Sequence, residues 1–384
     1  MASSVLPSGS RLRNIVWQAI AVAVLVGVMI WLAHNAAINS SARRVGVGFD
    51  FLTRPANFPI AETLIDYGPG QPIAIAILAG FINTILISFV GIAFATILGG
   101  VIGIARVSRN MLASSLSGAY VEFVRNVPLL AHLFVIYVVL QGLPPLRSAI
   151  SLGDIVFLCN RGLVIPAVST HNLLTPLLIA GGLSIASRVL LGRWARRGAG
   201  MPNGYRPVWP IAIAIGLAGL FGSTLVLGGS VRLSLPRLEG LNFVGATVLS
   251  PELTALILGL TIYYSAFIAE IVRGGILSVP KGQVDAATAL GLRPHLVLRL
   301  IILPQALRVI IPPTTSQYLD LAKTSSLAIA IGYPDLVAVI NSVITDTGQA
   351  IECVALVMAA FLTINLSISA VMNALDAKTG TVPR

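Results

Sequence analysis

Eight stretches of this chain are apolar and long enough to cross a bilayer, and that feature constrains the fold more than any other. They lie near residues 15–33, 80–105, 119–141, 173–191, 207–228, 252–272, 307–332 and 350–373. A spanning helix takes roughly 17–25 residues. Inside hydrocarbon every backbone N–H and C=O must find a partner within the protein, so spans of this length fold as helices. The expected fold is all-α: a polytopic membrane bundle of about eight transmembrane helices. Charged residues make up only 10% of the chain, against about 25% in a soluble domain. Two spans are less clean than the rest. The third begins with Glu122 and Arg125, and the seventh contains Pro312, Pro313, Asp320 and Lys323. The first follows Arg11 and Arg13 as a signal peptide would. Its apolar run of about 19 residues exceeds the roughly 7–15 of a signal segment, so it reads as an uncleaved anchor.

Orientation follows from Lys and Arg, which concentrate in cytoplasmic loops. With the N-terminus in the cytoplasm, seventeen of the 25 fall on that side and seven on the other, Arg43, Arg44, Arg54, Arg147, Arg161, Arg232 and Arg237. Lys323 lies within a span. The bias favours N-in and C-in topology. The net charge of +11 is thereby accounted for by loops at a membrane, with no nucleic acid required. Cys159 and Cys353 stand far apart, and the four histidines form no cluster, so no metal site is expected. The three lysines, Lys281, Lys323 and Lys378, do not sit in a phosphate-binding Gly-Lys-Ser/Thr loop. The chain is expected to bind no cofactor and to be no enzyme. By composition it divides into residues 1–79 (short cytoplasmic N-terminus, anchor, outer loop), 80–376 (membrane domain) and a short tail, 377–384. Within the membrane domain, residues 142–250 read as an insertion with two extra spans.

One cytoplasmic segment carries a specific spacing: Asp285-Ala286-Ala287, three residues, Gly291, nine residues, then Ile301, one residue, Leu303-Pro304. This resembles the EAA loop of ATP-binding-cassette (ABC) importer permeases, with Asp285 in place of the usual Glu. Gly80 and Thr84 resemble the G-x-x-x-T of polar amino-acid permeases. Tyr120, Glu122, Arg125 and Pro128-Leu129-Leu130 resemble their Y-x-E-x-x-R-x-x-P-L-L segment. Leu303-Pro304-Gln305-Ala306-Leu307-Arg308 and Lys323-Thr324-Ser325-Ser326-Leu327 resemble two further family segments. Insertion and span number together look like the general L-amino-acid permeases of the AapQ/BztB type in Gram-negative bacteria. The resemblance implies a multi-pass inner-membrane subunit of an importer for L-amino acids. It implies as partners an ATPase that uses ATP and Mg, a second permease and a periplasmic amino-acid-binding protein, besides lipid. An ion-coupled secondary transporter is the alternative; it would show paired broken helices in two related halves.

Residue types also suggest local geometry. Ala-rich Asp285–Leu290 favours a short helix. Gly291 permits a left-handed turn to end it, and Pro294 suits the first turn of a second helix through Arg299. Helix, turn and helix make a plug for a groove on a partner. In the seventh span, Asp320 and Lys323 stand i and i+3 and can share a face. Two readings fit. With Thr324, Ser325 and Ser326 they line a path for a zwitterion, or they form a structural ion pair. Glu122 and Arg125, also i and i+3, read as a structural pair at a helix entry.

Overall fold

The computed structural model describes residues 8–42, 48–171, 230–240 and 242–380, with short pieces between 182 and 223. The expected spans at 173–191 and 207–228 fall largely outside the described residues. The chain forms two compact units, Met1–Leu133 with Leu256–Arg384, and Phe134–Ala255.

Among the described residues five helices are long and apolar enough to cross a membrane. They are carried by α1 (Ser8–Ala42), α2 (Ile73–Arg106), α5 (Pro251–Leu277), α8 (Leu303–Thr324) with its flanking turns, and α10 (Ala350–Gly380). The expected span at 119–141 is instead two helices, α3 (Met111–Asn126) and α4 (Leu129–Gln141). Pro128 causes the break. A residue before proline is pushed out of the helical region, and Val127 is extended at φ −107°, ψ 131°.

Packing in the first unit is set by small residues. Ala76, Gly80, Thr84, Gly91, Ala95, Gly99 and Gly103 form a buried stripe along α2. A methyl group built at Gly103 would lie 2.7 Å from the carbonyl oxygen of Ala269, and one at Gly99 2.8 Å from that of Ser265. Absent side chains let α2 and α5 touch backbone to backbone, the small-xxx-small mode of membrane helices. At the other end of the stripe, Gly80 meets α9 (Leu336–Thr347), where the added methyl would lie 2.9 Å from Val339 Cγ2.

Helix α9 was not expected, since its twelve residues are too short to span. Its buried N-terminus is held by three side chains. Asp335 Oδ1 accepts from the Ala338 N–H at 2.8 Å, and Thr84 Oγ1 from the Leu336 N–H at 3.0 Å. Asn83 Nδ2 donates to the carbonyls of Glu62 and Pro334. Phe51 and Ala56, from the segment before α2, complete a core with Ile73, Leu336, Val343 and Cys353.

Asp335 is fully buried, and its Oδ2 has no hydrogen-bond partner. Burial pushes its carboxyl up to about 7. The sign follows from proton counting. Between the ordinary carboxylate range and pH 7 the folded state holds a proton that the unfolded state has lost, so stability falls as pH rises. Asp335→Asn keeps the cap and removes the charge. Its melting temperature should match wild type near pH 4 and exceed it by several degrees at pH 8. A constant gap at both pH values would refute this.

The second unit contains structure that the all-α reading did not include. The chain is mostly helical, but the insertion adds a small antiparallel sheet. Strand β3 (Gly162–His171) pairs with β2 (Val156–Cys159), β4 (Ser230–Ser234) and β7 (Ala246–Leu249). Strand β1 (Ile150–Leu152) pairs with β2, and β5 (Arg237–Glu239) with β6 (Asn242–Val244). Leu146, Cys159 and Val164 form its core, with Phe157 and Phe243 rings 4.8 Å apart.

Candidate functional site

The segment with the family spacing is an exposed helix-turn-helix. Helix α6 (Lys281–Ala289) ends at Leu290, and Gly291 adopts φ +76°. The Gly291 N–H bonds to the Thr288 carbonyl at 2.9 Å, and the Leu292 N–H to that of Ala287 at 3.2 Å. These two bonds make a complete Schellman motif, which needs the left-handed residue that glycine supplies. Pro294 opens α7 (Pro294–Val297) at its first turn.

The second helix does not run through Arg299 as a separate α-helix. After Val297 the chain widens into a π turn, Leu298–Ile302, and continues directly into α8. The Leu303 N–H reaches back five residues to the Leu298 carbonyl. Pro304, next in line, has no N–H for the Leu300 carbonyl and its ring crowds it. A wider turn relieves that clash.

Surface chemistry separates the two sides of this segment. Ala287 and Val297 are buried inside it and Ile301 is half-buried. Asp285, Ala286, Gly291 and Pro304 are exposed. So are large apolar side chains: Leu290 is 82% exposed, Leu300 56% and Leu303 44%. Gln305 anchors the base by donating to Gln283 Oε1 on α6 and to the Ile301 carbonyl.

Asp320 and Lys323 are both exposed near the end of α8. They do not pair with each other. Ion pairs form elsewhere, between Arg106 and Glu270 and between Arg273 and Glu270. Asp320 turns instead to α5, where Tyr264 Oη donates to its Oδ2 at 2.8 Å. Tyr264 is 1% exposed and also lies 2.6 Å from Thr324 Oγ1. Ser325 donates to the Ala322 carbonyl and Ser326 to that of Lys323. Thr324 lies within hydrogen-bond reach of two carbonyls, those of Asp320 and Leu321. The Ser325 and Ser326 hydroxyls therefore donate to the end of their own helix, Ser325 fully buried, and Thr324 joins the cluster with Tyr264.

Glu122 and Arg125 do not pair either. The Arg125 guanidinium sits over the Phe267 ring, 5.2 Å from its centroid. Tyr120, in the same segment, bonds to the Ile262 carbonyl at 3.0 Å and lies 2.8 Å from Ser265 Oγ, tying α3 to α5. Glu270 on α5, which sequence reasoning passed over, bonds Arg106 of α2 and Arg273 of its own helix. The signal was there: Glu270 is a carboxylate set deep in an apolar span, and such residues mark polar sites in membrane proteins.

Residues 95–381 match the family described as "Binding-protein-dependent transport system inner membrane component". A putative amino-acid ABC transporter permease of Escherichia coli K12, YhdX, is 44% identical over 97% of this chain and 95% of its own length. The general L-amino acid transport system permease AapQ of Rhizobium johnstonii is 42% identical over 97% and 94%. The glutamate/glutamine/aspartate/asparagine transport system permease BztB of Rhodobacter capsulatus is 35% identical over 96% and 94%.

Proposed function

This chain belongs to the family of binding-protein-dependent transport system inner membrane components, and from that premise we propose that it imports L-amino acids as one of two permeases in an ABC transporter. Family membership removes the ion-coupled alternative: the chain is a permease subunit, and ATP hydrolysis sits on a separate subunit. The full-length similarity to amino-acid permeases supports the substrate class and a Gram-negative inner membrane. The second permease and a periplasmic amino-acid-binding protein complete the proposed assembly.

The observation that carries the coupling role is the exposed apolar rim of α6–Gly291–α7 on a segment otherwise polar. Exposed leucines at a rigid, Schellman-capped turn suit a groove on another protein better than water. Ile301, Leu303 and Pro304 continue the same surface into α8. Closure of the ATPases moves this plug, and the π turn joins it to α8 without a flexible break. The chain itself contributes geometry and performs no covalent step.

Sealed vesicles test the proposal. L-amino-acid uptake should require the ATPase subunits, ATP and the binding protein; uptake driven by an ion gradient without ATP would overturn it. Orientation is tested separately. A cysteine at the exposed Ser278 should react with an impermeant thiol reagent only from the cytoplasm, and one at the exposed Ala61 only from the periplasm. Periplasmic labelling at Ser278 would place α6 and α7 out of reach of any ATPase.

A further inference from the structure

A polar pocket of about 450 Å³ opens between the C-terminal ends of α2 and α3 and the side of α5. Arg106, Glu122, Arg125, Asn126, Phe267 and Glu270 line it. It lies apart in sequence from the Asp320–Lys323 region on α8. Glu270 stands about two turns before the end of α5, whose chain leads through three residues into α6. The pocket is thus linked to the coupling segment by one short, continuous stretch of chain.

Its charges are arranged unusually. Glu270 is neutralised by Arg106 and Arg273. Glu122 and Arg125 face the same pocket from one helix, with Cβ atoms of i and i+3 positions roughly 5–6 Å apart. Opposite charges so placed ordinarily pair. Here Arg125 is held against the Phe267 ring, and Glu122 makes no ion pair among the described residues. One cation and one anion therefore stand exposed side by side without pairing to each other, and Arg125 also acts electrostatically on Glu270. Arg125 offers the planar fork that matches a carboxylate, and Phe267 gives an apolar wall.

We propose that this pocket is a second binding site for a free L-α-amino acid, with Arg125 taking the α-carboxylate and Glu122 the α-ammonium. The proposal rests on amino acids being the cargo. Asn126 supplies a neutral amide beside the carboxylate, and the side chain lies along Phe267. A ligand so placed ties α3 to α5 just ahead of α6, so its occupancy bears on the coupling segment. A zwitterion fits better than a simple anion, because it meets both exposed charges at once.

The test uses the complete transporter in phosphatidylcholine nanodiscs, without ATP or binding protein, titrated with radiolabelled L-glutamine. Glu122→Gln and Arg125→Gln should each weaken binding at least tenfold. Arg109→Gln, an exposed arginine outside the pocket, should not. Propionate, which lacks the ammonium, should compete weakly and indifferently to Glu122→Gln. Thermal melts check folding; should Arg125→Gln unfold, the exposed Glu122 carries the test alone. Unchanged affinity in the folded variants would overturn the site, as would loss of wild-type binding on adding anionic lipid, which would assign the pocket to a headgroup. Wild-type vesicles that import L-glutamine while the nanodiscs bind none would sink this inference and leave the transport function standing. Vesicles that import no amino acid would sink the function instead.

Discussion

Gly291→Val should lower amino-acid uptake at least tenfold while the subunit inserts in the membrane at its normal level. The effect is one of backbone, not space. A methyl group at Gly291 would meet nothing within 4 Å, but φ is +76°. A β-branched residue in that region costs on the order of 1–3 kcal/mol. Valine there breaks the pair of bonds to Thr288 and Ala287 that close α6. The turn then opens, and Leu290 and Asp285 leave the positions that a partner groove would read. Every 1.4 kcal/mol is tenfold in population, so a local cost of this size empties the docking-competent form without unfolding the bundle. Gly291→Asn should keep most activity, because Asn tolerates the left-handed region. Asp285→Lys should reduce co-purification of the ATPase, and Asp285→Glu should change little. Uptake by Gly291→Val at the wild-type rate and wild-type abundance would show that the turn carries no coupling function.

The turn was legible because its cause is local. Ala-rich residues, one glycine and Pro294 dictate helix, reversal and helix within fifteen positions. The long spans were legible for the same reason, since apolar length alone sets them. What escaped was non-local. Spacing i, i+3 says that Asp320 and Lys323 share a helix face, but not that Tyr264, 56 positions away, claims the carboxylate. Arg106 and Glu270, 164 positions apart, could be matched only by knowing that Gly99 and Gly103 bring α2 against α5. Helix α9 had a usable local sign, Asp335 before an apolar run, which is the pattern of an N-cap. Its length hid it, being too short for a span. The sheet of the insertion was missed because its strands lie on either side of the two expected extra spans, in stretches read as loops. Strand β3, Gly162–His171, is rich in β-branched residues and begins at a glycine with φ +104°. Those are strand and turn signals in their own right.

Lys323→Ala should cut uptake at least tenfold and leave membrane abundance and subunit assembly unchanged. The structure separates this outcome from a structural role. Were Asp320 and Lys323 a buried ion pair, removing the lysine would strand a carboxylate at a cost of about 3–5 kcal/mol. Abundance would then fall, and the uncharged double variant, Asp320→Asn with Lys323→Met, would restore both abundance and transport. Instead the Asp320 carboxylate already has a donor in Tyr264 at 2.8 Å, and Lys323 is exposed. Deleting the lysine strands nothing. An exposed ammonium within a membrane span is costly unless it lines a wet cavity, and a passing carboxylate gives it a partner there. Because the hydroxyls of Ser325 and Ser326 donate to their own helix, Lys323 is the strong donor at this end of α8, and no neighbour on that helix can stand in for it. Asp320→Asn should keep the Tyr264 bond and abundance, yet weaken uptake of zwitterions by removing the charge that meets an α-ammonium. The double variant should therefore be stable and inactive. Full transport by that variant at normal abundance would mean that the cargo path runs elsewhere.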